Sequence, residues 1–146
     1  MTNRTRVLIL CTGNSARSQM AEGILRHDGG ESFEVSSAGT NPGSVRPEAI
    51  AVMREIGIDI SHHRSKSIDE LIGREFDYVI TVCDNANERC PVFPGSAARI
   101  HRSFEDPPPA TSGDEASRLA IFRRVRDEIR NWLQQSFIPA ATKTSS

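Results

Sequence analysis

Three groups of residues in this chain have the types and spacing to do chemistry. The first is Cys11-Thr12-Gly13-Asn14-Ser15-Ala16-Arg17-Ser18, in which an arginine stands six positions after a cysteine. A thiolate is a strong nucleophile, and a guanidinium fork matches the oxygens of a tetrahedral anion. The second is the pair Cys83 and Cys90, seven apart on a polar segment that closes with Pro91. Thiols so placed suit disulfide exchange. The third is Asp106, which precedes Pro107-Pro108-Pro109. A following proline pushes a residue out of helical geometry, so this carboxyl can project from a stiff loop as a general acid. Glu105 is the nearest rival for that role, and an Asp-Pro pair can also be a plain turn starter.

Elements must hold these groups in place. Val7-Leu8-Ile9-Leu10 reads as a buried strand that delivers Cys11 at its end. From Ser15 the pattern turns helical, with Ala16, Met20, Ala21, Ile24 and Leu25 on one face. Cys11 then lies beneath a helix N-terminus, where backbone N–H groups lack intrahelical partners and can converge on one oxyanion. Thr12, Gly13, Asn14, Ser15, Ala16 and Arg17 are the expected anion-binding residues. The same dipoles favour thiolate over thiol. Ser18 is placed to hold the thiolate with its hydroxyl, and Asn14 to brace the curled loop. The plain alternative is that Cys11 is a small core residue at a strand end.

Strand and helix patterns alternate along the rest of the chain, which predicts an α/β fold with a four-stranded parallel sheet flanked by helices. Strands are expected at 33–38, 76–82 and, more weakly near an edge, 97–101. Helices are expected from Pro47 to Ile56, briefly from Ser67 to Ile72, and from Asp114 to Gln135. The last carries a stripe of Leu119, Phe122, Val125, Ile129, Trp132 and Leu133, with Arg123, Arg124, Arg126 and Arg130 among acidic residues on a solvated face. One domain over 1–136 is expected, followed by a disordered tail over 137–146. Ligands in such sheets sit outside the carboxyl ends of the strands, so Cys11 and Cys83 should meet on one rim.

The chain has 146 residues and a formal net charge of −1, which gives no general attraction to nucleic acid or anionic membrane. No apolar run is long enough to span a bilayer, and the N-terminus enters a strand without a signal peptide's apolar core. A cytoplasmic monomer is the expectation. In a reducing compartment three cysteines favour catalysis, redox cycling or metal over a structural disulfide. Were 83–90 helical, its two cysteines would lie about 10 Å apart by the helical rise. A disulfide needs Cα atoms within about 7 Å, so forming one requires the segment to unwind. Two unrelated buried cysteines and a zinc site completed by a histidine are the alternatives, although no close Cys-x2-Cys or His-x3-His spacing supports zinc. His62, His63 and His101 are expected at the surface.

Cys-x5-Arg-Ser between a first strand and a first helix resembles the low-molecular-weight tyrosine phosphatase superfamily. Over residues 5–135 the chain is similar to its thioredoxin-coupled arsenate reductase branch, whose Cys-x6-Cys after the third strand matches Cys83 to Cys90. The resemblance implies arsenate reduction by a relay from Cys11 to Cys83 to Cys90, with Asp106 as the acid and neither metal nor organic cofactor. The implied reductant is thioredoxin, or glutaredoxin with a low-molecular-weight thiol. Phosphatases of the superfamily generally carry an aromatic residue where Pro108 stands, which argues against an aryl phosphate substrate. Some branch members carry a further cysteine where Ala16 stands. Others bind potassium through Asn, Glu, Ser and Asp; Asn14, Glu22 and Ser37 match, while Lys66 falls where the Asp would lie and is expected to replace the cation. The competing expectations are a phosphatase using the same loop and acid, and a non-catalytic oxyanion sensor governed by its disulfide state.

Overall fold

The apolar run at Val7–Leu10 becomes an inner strand of the sheet. In the computed structural model, which describes residues 4–83 and 92–142, strand β1 (Thr5–Cys11) has parallel neighbours on both sides. These are β2 (Phe33–Gly39) and β3 (Tyr78–Thr81); β4 (Ala98–His101) joins β3 at the edge, giving the order β2-β1-β3-β4. A strand covered on both faces needs no polar alternation. Val7, Ile9 and Cys11 enter one apolar cluster, while Leu8 and Leu10 enter another with Leu71, Val79 and Phe93. Complete burial of such side chains contributes about 1.5–3 kcal/mol each, so the register that places Cys11 beside Gly39 is firmly held.

Three helices cover the first face: α1 (Arg17–Gly29), α2 (Pro47–Glu55) and α3 (Glu115–Trp132). Met20 and Ile24, Val52 and Met53, and Phe122, Val125 and Ile129 are their respective contributions. Helix α1 ends at Gly30, whose φ of 60° suits a residue without Cβ. Helix α2 starts on Pro47, and α3 is capped by the Asp114 carboxylate, which accepts from Ser117 N at 2.8 Å. The chain runs out from β1 to β2, then back across β1 to β3 and β4. A crevice therefore opens outside the carboxyl ends of β1 and β3.

The expected elements are present with shorter bounds. The third strand covers 78–81 rather than 76–82, although Asp77 N and Val82 N still donate to Arg6 O and Leu10 O at its two ends. The short helix over 67–72 is a 3-10 turn at Ile68–Leu71, capped by Ser67. Arg126 departs from the solvated face assigned to it. It is buried, donating to Val52 O and Glu55 across the α2–α3 contact. No helix among the described residues is long and apolar enough to cross a membrane. Expectations for the 84–91 segment, Cys90 included, lie outside the described residues.

The expected tail needs correction. Beyond α3 a π turn (Leu133–Phe137) leads into α4 (Ile138–Thr142), and Phe137 is only 2% exposed. Its ring packs edge-on against Tyr78 with centroids 5.2 Å apart and against Phe33 at 5.8 Å, so this aromatic closes the amino end of the core. Small and polar composition after Phe137 concealed that anchor. Phe137→Ala should cost about 3–5 kcal/mol in urea unfolding; a change under about 1 kcal/mol would return 137–142 to a loosely attached tail.

Candidate active site

Cys11 ends β1, and the chain curls through 12–16 before α1 begins at Arg17. The outer side of this curl is stitched to the rest of the protein. Asn41 N donates to Thr12 O at 2.9 Å, Gly43 N to Gly13 O at 3.1 Å and Arg46 N to Ser15 O at 2.9 Å. Asn14 O accepts from Ser65 Oγ at 2.6 Å and from Gln19 Nε2 at 3.0 Å. In a trans peptide, N–H and C=O point opposite ways. Carbonyls held outward therefore turn the N–H groups inward. Gly39 permits the close approach, since a Cβ there would meet Thr12 O at 2.4 Å.

The thiol lies at the bottom of the curl, 2% exposed. Asn14 N donates to its sulfur at 3.3 Å, and Ser18 Oγ lies 2.9 Å from it. Asn14 Nδ2 donates to Ser18 Oγ at 2.8 Å and to Ser37 Oγ at 2.9 Å, and Ser37 in turn donates to the Glu22 carboxylate. Arg26 closes the chain on Glu22 at 2.6 Å. With Ser18 accepting from the amide, its own hydrogen is free for the sulfur.

Arg17 flanks the mouth. Its guanidinium donates to Phe104 O at 3.3 Å and lies 3.4 Å from an Asp106 oxygen; its side chain is 4% exposed and that of Asp106 65%. A cavity of about 220 Å³ is lined by Cys11, Thr12, Gly13, Ser15, Ala16, Arg17, Asn41 and Asp106, with no aromatic among them. Glu105 points elsewhere and pairs with Arg124 at 2.7 Å, which leaves Asp106 as the carboxyl at the mouth. A cleft of about 720 Å³ at the opposite end of the sheet is lined by Arg4, Arg6, Arg74 and Phe93 among others, with no cysteine among the residues that line it.

Most of the residues expected to act together are together: Cys11, Thr12, Gly13, Ser15, Ala16, Arg17, Ser18 and Asp106. Asn14 is the exception among the expected anion ligands. Its side chain is buried behind the loop, and its φ of 49° makes it the one non-glycine residue in the left-handed region among those described. Cys83 is buried one residue beyond Val82, whose N–H bonds to Leu10 O at 3.0 Å, so it does adjoin the rim of β1. Cys83 is disulfide-bonded, whereas Cys11 is free. Cys90 lies outside the described residues. Among the described residues no three His, Cys, Asp or Glu side chains converge as a metal would require.

Gln19, Asn41, Ser65 and His63 are site residues that sequence reasoning missed. Asn41 and Ser65 reach the loop from irregular segments distant in sequence, for which a single sequence carries no signal. Gln19 gave none either: it stands on the side of α1 away from the stripe of Ala16, Met20, Ile24 and Leu25, where a polar residue is expected to face solvent. His63, expected at the surface, is half-buried, with Nδ1 2.9 Å from Gln19 Oε1. Burial pushes its pKa below the ordinary 6.5, with Glu22 opposing and Arg26, His62 and Lys66 reinforcing the shift.

The sequence pattern of the family described as low molecular weight phosphotyrosine protein phosphatase matches residues 6–144. The chain is 46% identical over 127 residues to an arsenate reductase of Halalkalibacterium halodurans, covering 87% of this chain and 91% of that protein. It is similar to a solved arsenate reductase in the phosphate binding state, with TM-score 0.76, 31% identity and coverage of 93% of this chain and 98% of the other. A third likeness is to a thioredoxin-dependent arsenate reductase of Corynebacterium glutamicum, with TM-score 0.67, 28% identity and coverage of 96% of this chain and 64% of that one.

The position of His63 has a consequence for stability. Near its ordinary value of 6.5 the unfolded chain takes up a proton that the folded protein resists. Acidification from about pH 7.5 to about pH 5.5 should therefore lower the Tm more in the wild type than in His63→Gln, which keeps a donor for Gln19 and does not titrate. Equal losses in the two proteins would show that His63 carries no such linkage.

Proposed function

The chain belongs to the low molecular weight phosphotyrosine protein phosphatase family, and from that premise we propose that it is an arsenate reductase. The observation that carries this reading is the second buried cysteine, Cys83, set beside β1 on the rim that holds Cys11. Phosphate ester hydrolysis needs one thiol; reduction of a bound oxyanion needs a second to take up the oxidised sulfur. The curated relative and the solved structures named above are arsenate reductases, which supports the same choice. So does the small cavity, which has room for a tetrahedral oxyanion and no aromatic wall for an aryl ester.

Arsenate enters the curl, where N–H groups and Arg17 balance its charge. The Cys11 thiolate attacks arsenic, and Asp106 protonates the departing oxygen so that it leaves as water. Arsenic is still pentavalent in this thioester-like adduct. The Cys83 thiolate then attacks the Cys11 sulfur. The sulfur–arsenic bond breaks with its electron pair staying on arsenic, which leaves as trivalent arsenite, and a Cys11–Cys83 disulfide forms. The Cys90 thiolate next attacks Cys83, freeing Cys11 as thiolate. An external dithiol reduces the final disulfide, supplying two electrons and two protons per turnover. We assign that role to thioredoxin, as in the Corynebacterium relative, with glutaredoxin and a low-molecular-weight thiol as the other source. A free Cys11 with an oxidised Cys83 is the thiol state this sequence reaches before reduction. The reaction is placed in a cytoplasmic monomer, where such dithiols are kept reduced.

The sequence expectation for Lys66 is part of the proposal. Asn14, Ser37 and Glu22 do gather, yet Asn14 Oδ1 already accepts from Gln19 Nε2 and Lys66 N, each at 3.0 Å. Its two lone pairs are taken. Burial lowers the Lys66 pKa and the Glu22 carboxylate raises it, so Lys66 stands close enough to Glu22 to take the cation's place, and with both Asn14 Oδ1 lone pairs occupied the residues do not fit a potassium ion. Replacing sodium by potassium at constant ionic strength should leave kcat and KM unchanged; activation by potassium would sink this assignment.

The activity itself is tested by arsenate-dependent NADPH oxidation with thioredoxin and thioredoxin reductase. Turnover is expected in the wild type and not in Cys83→Ser, while the variant retains any slow hydrolysis of an aryl phosphate. Asp106→Asn should slow arsenate turnover by about 10²–10⁴. Wild-type turnover surviving in Cys83→Ser would exclude the relay. Aryl phosphate hydrolysis without arsenate turnover would move the assignment to a phosphatase.

A further inference from the structure

Gln19 is a fully buried polar residue for which the steps above have no use. Burying a carboxamide is costly unless its hydrogen bonds are made, and here they all are. Nε2 lies 3.0 Å from each of Asn14 O, Asn14 Oδ1 and Arg64 O, so one amino group serves three acceptors. Oε1 carries no hydrogen and therefore accepts from His63 Nδ1 at 2.9 Å. One side chain on α1 thus joins the curl to the 64–66 segment. That segment is itself fixed to the sheet, since Lys66 O accepts from Gly39 N at 3.0 Å.

The residue gripped on both its main-chain and side-chain oxygens is Asn14, with its φ of 49°. An L residue adopts that conformation only when its surroundings over-determine it. The orientation matters to the chemistry because Asn14 N is a donor to Cys11 Sγ and Asn14 Nδ2 orders Ser18, the other partner of the sulfur. We propose that Gln19 is a positioning residue for the reaction: its buried carboxamide locks Asn14 in the left-handed conformation that turns the Asn14 N–H onto the Cys11 sulfur. An apolar side chain of equal size would fill the same space beside α1 and leave the curl free to relax. Only the kinetic part of the test rests on the arsenate reductase reading; the reactivity of the thiol does not.

Gln19→Met keeps length and volume and removes every donor and acceptor. Two rates are measured: alkylation of Cys11 by iodoacetamide, located by mass spectrometry, and kcat for arsenate. Both should fall about tenfold to a hundredfold, as expected when buried acceptors lose their donor. A purely structural role would lower the Tm and leave both rates unchanged. Gln19→Glu, which keeps the shape and turns donors into acceptors, should lose at least as much and takes over if the Met variant does not fold. The deciding measurement uses Asn14→Gly, because glycine reaches positive φ unaided. In that background Gln19→Met should change the alkylation rate by less than about threefold, since two residues acting through one contact are not additive. Wild-type rates in Gln19→Met, or its full loss persisting beside Asn14→Gly, overturn the proposal. If arsenate turnover is absent even from the wild type, the activity reading fails while the alkylation rates still judge the clamp.

Discussion

The direction in which the Asn14 carboxamide donates governs the site. Its two N–H bonds occupy a lone pair on each of two hydroxyls, Ser18 and Ser37. Each hydroxyl must then send its own hydrogen onward, one towards the Cys11 sulfur and the other to the Glu22 carboxylate. The Cys11 sulfur at one end and the Glu22 carboxylate at the other both suit donors that radiate from the middle, and Arg26 neutralises the far end. Were the amide flipped, both hydroxyls would turn inward and the sulfur would lose a donor. Its Oδ1 is held against that flip by Gln19 Nε2 and Lys66 N, so the polarity of the network is set from outside the curl.

That network needs a platform, and the sheet supplies it. Cys11 is fixed by the register of β1 against β2, and Ser37 stands on β2 two residues before Gly39. The same β2 leads into the 40–46 stretch that ties down three carbonyls of the curl. On the other side, β3 brings Cys83 to the rim and β4 leads into the loop that carries Phe104 O and Asp106 to Arg17. Every strand therefore ends in a part of the site. The order β2-β1-β3-β4 puts the nucleophile on an inner strand, where its supports come from both sides.

Local pattern makes much of this legible in the chain. The unbroken apolar run of β1, the helical face of α1 and the proline after Asp106 act within a few residues, so Cys11, Arg17, Ser18 and Asp106 stand out from the amino-acid sequence by themselves. Contacts distant in sequence are hidden. Ser65 and Lys66 meet Asn14 across 51 and 52 positions, and Arg126 reaches Val52 across 74. An arginine on a charged stretch looks solvated until the opposing carbonyl is known. Phe137 is lost for the opposite reason: its weak surroundings outvote a single aromatic that three other rings enclose. His63 shows the same limit, since burial there is decided by α1 rather than by its neighbours in the chain.

The enclosure around Cys11 also bears on why the proposed chemistry uses more than one thiol. A cavity of about 220 Å³ with a cysteine 2% exposed at its base admits a small oxyanion and excludes the surface of another protein. An external dithiol cannot approach that sulfur along the line that thiol–disulfide exchange requires. Widening the mouth would admit it, at the cost of the converging N–H groups and of the dry surroundings that strengthen them. On the proposed chemistry the protein avoids that compromise by moving the oxidised bond instead of opening the site. In that proposal Cys83, which adjoins the rim from β3, attacks the Cys11 sulfur from within the fold, and any reductant then needs access only to the relayed disulfide. On that proposal rigid anion binding and reduction by a bulky partner are compatible, because different cysteines perform them.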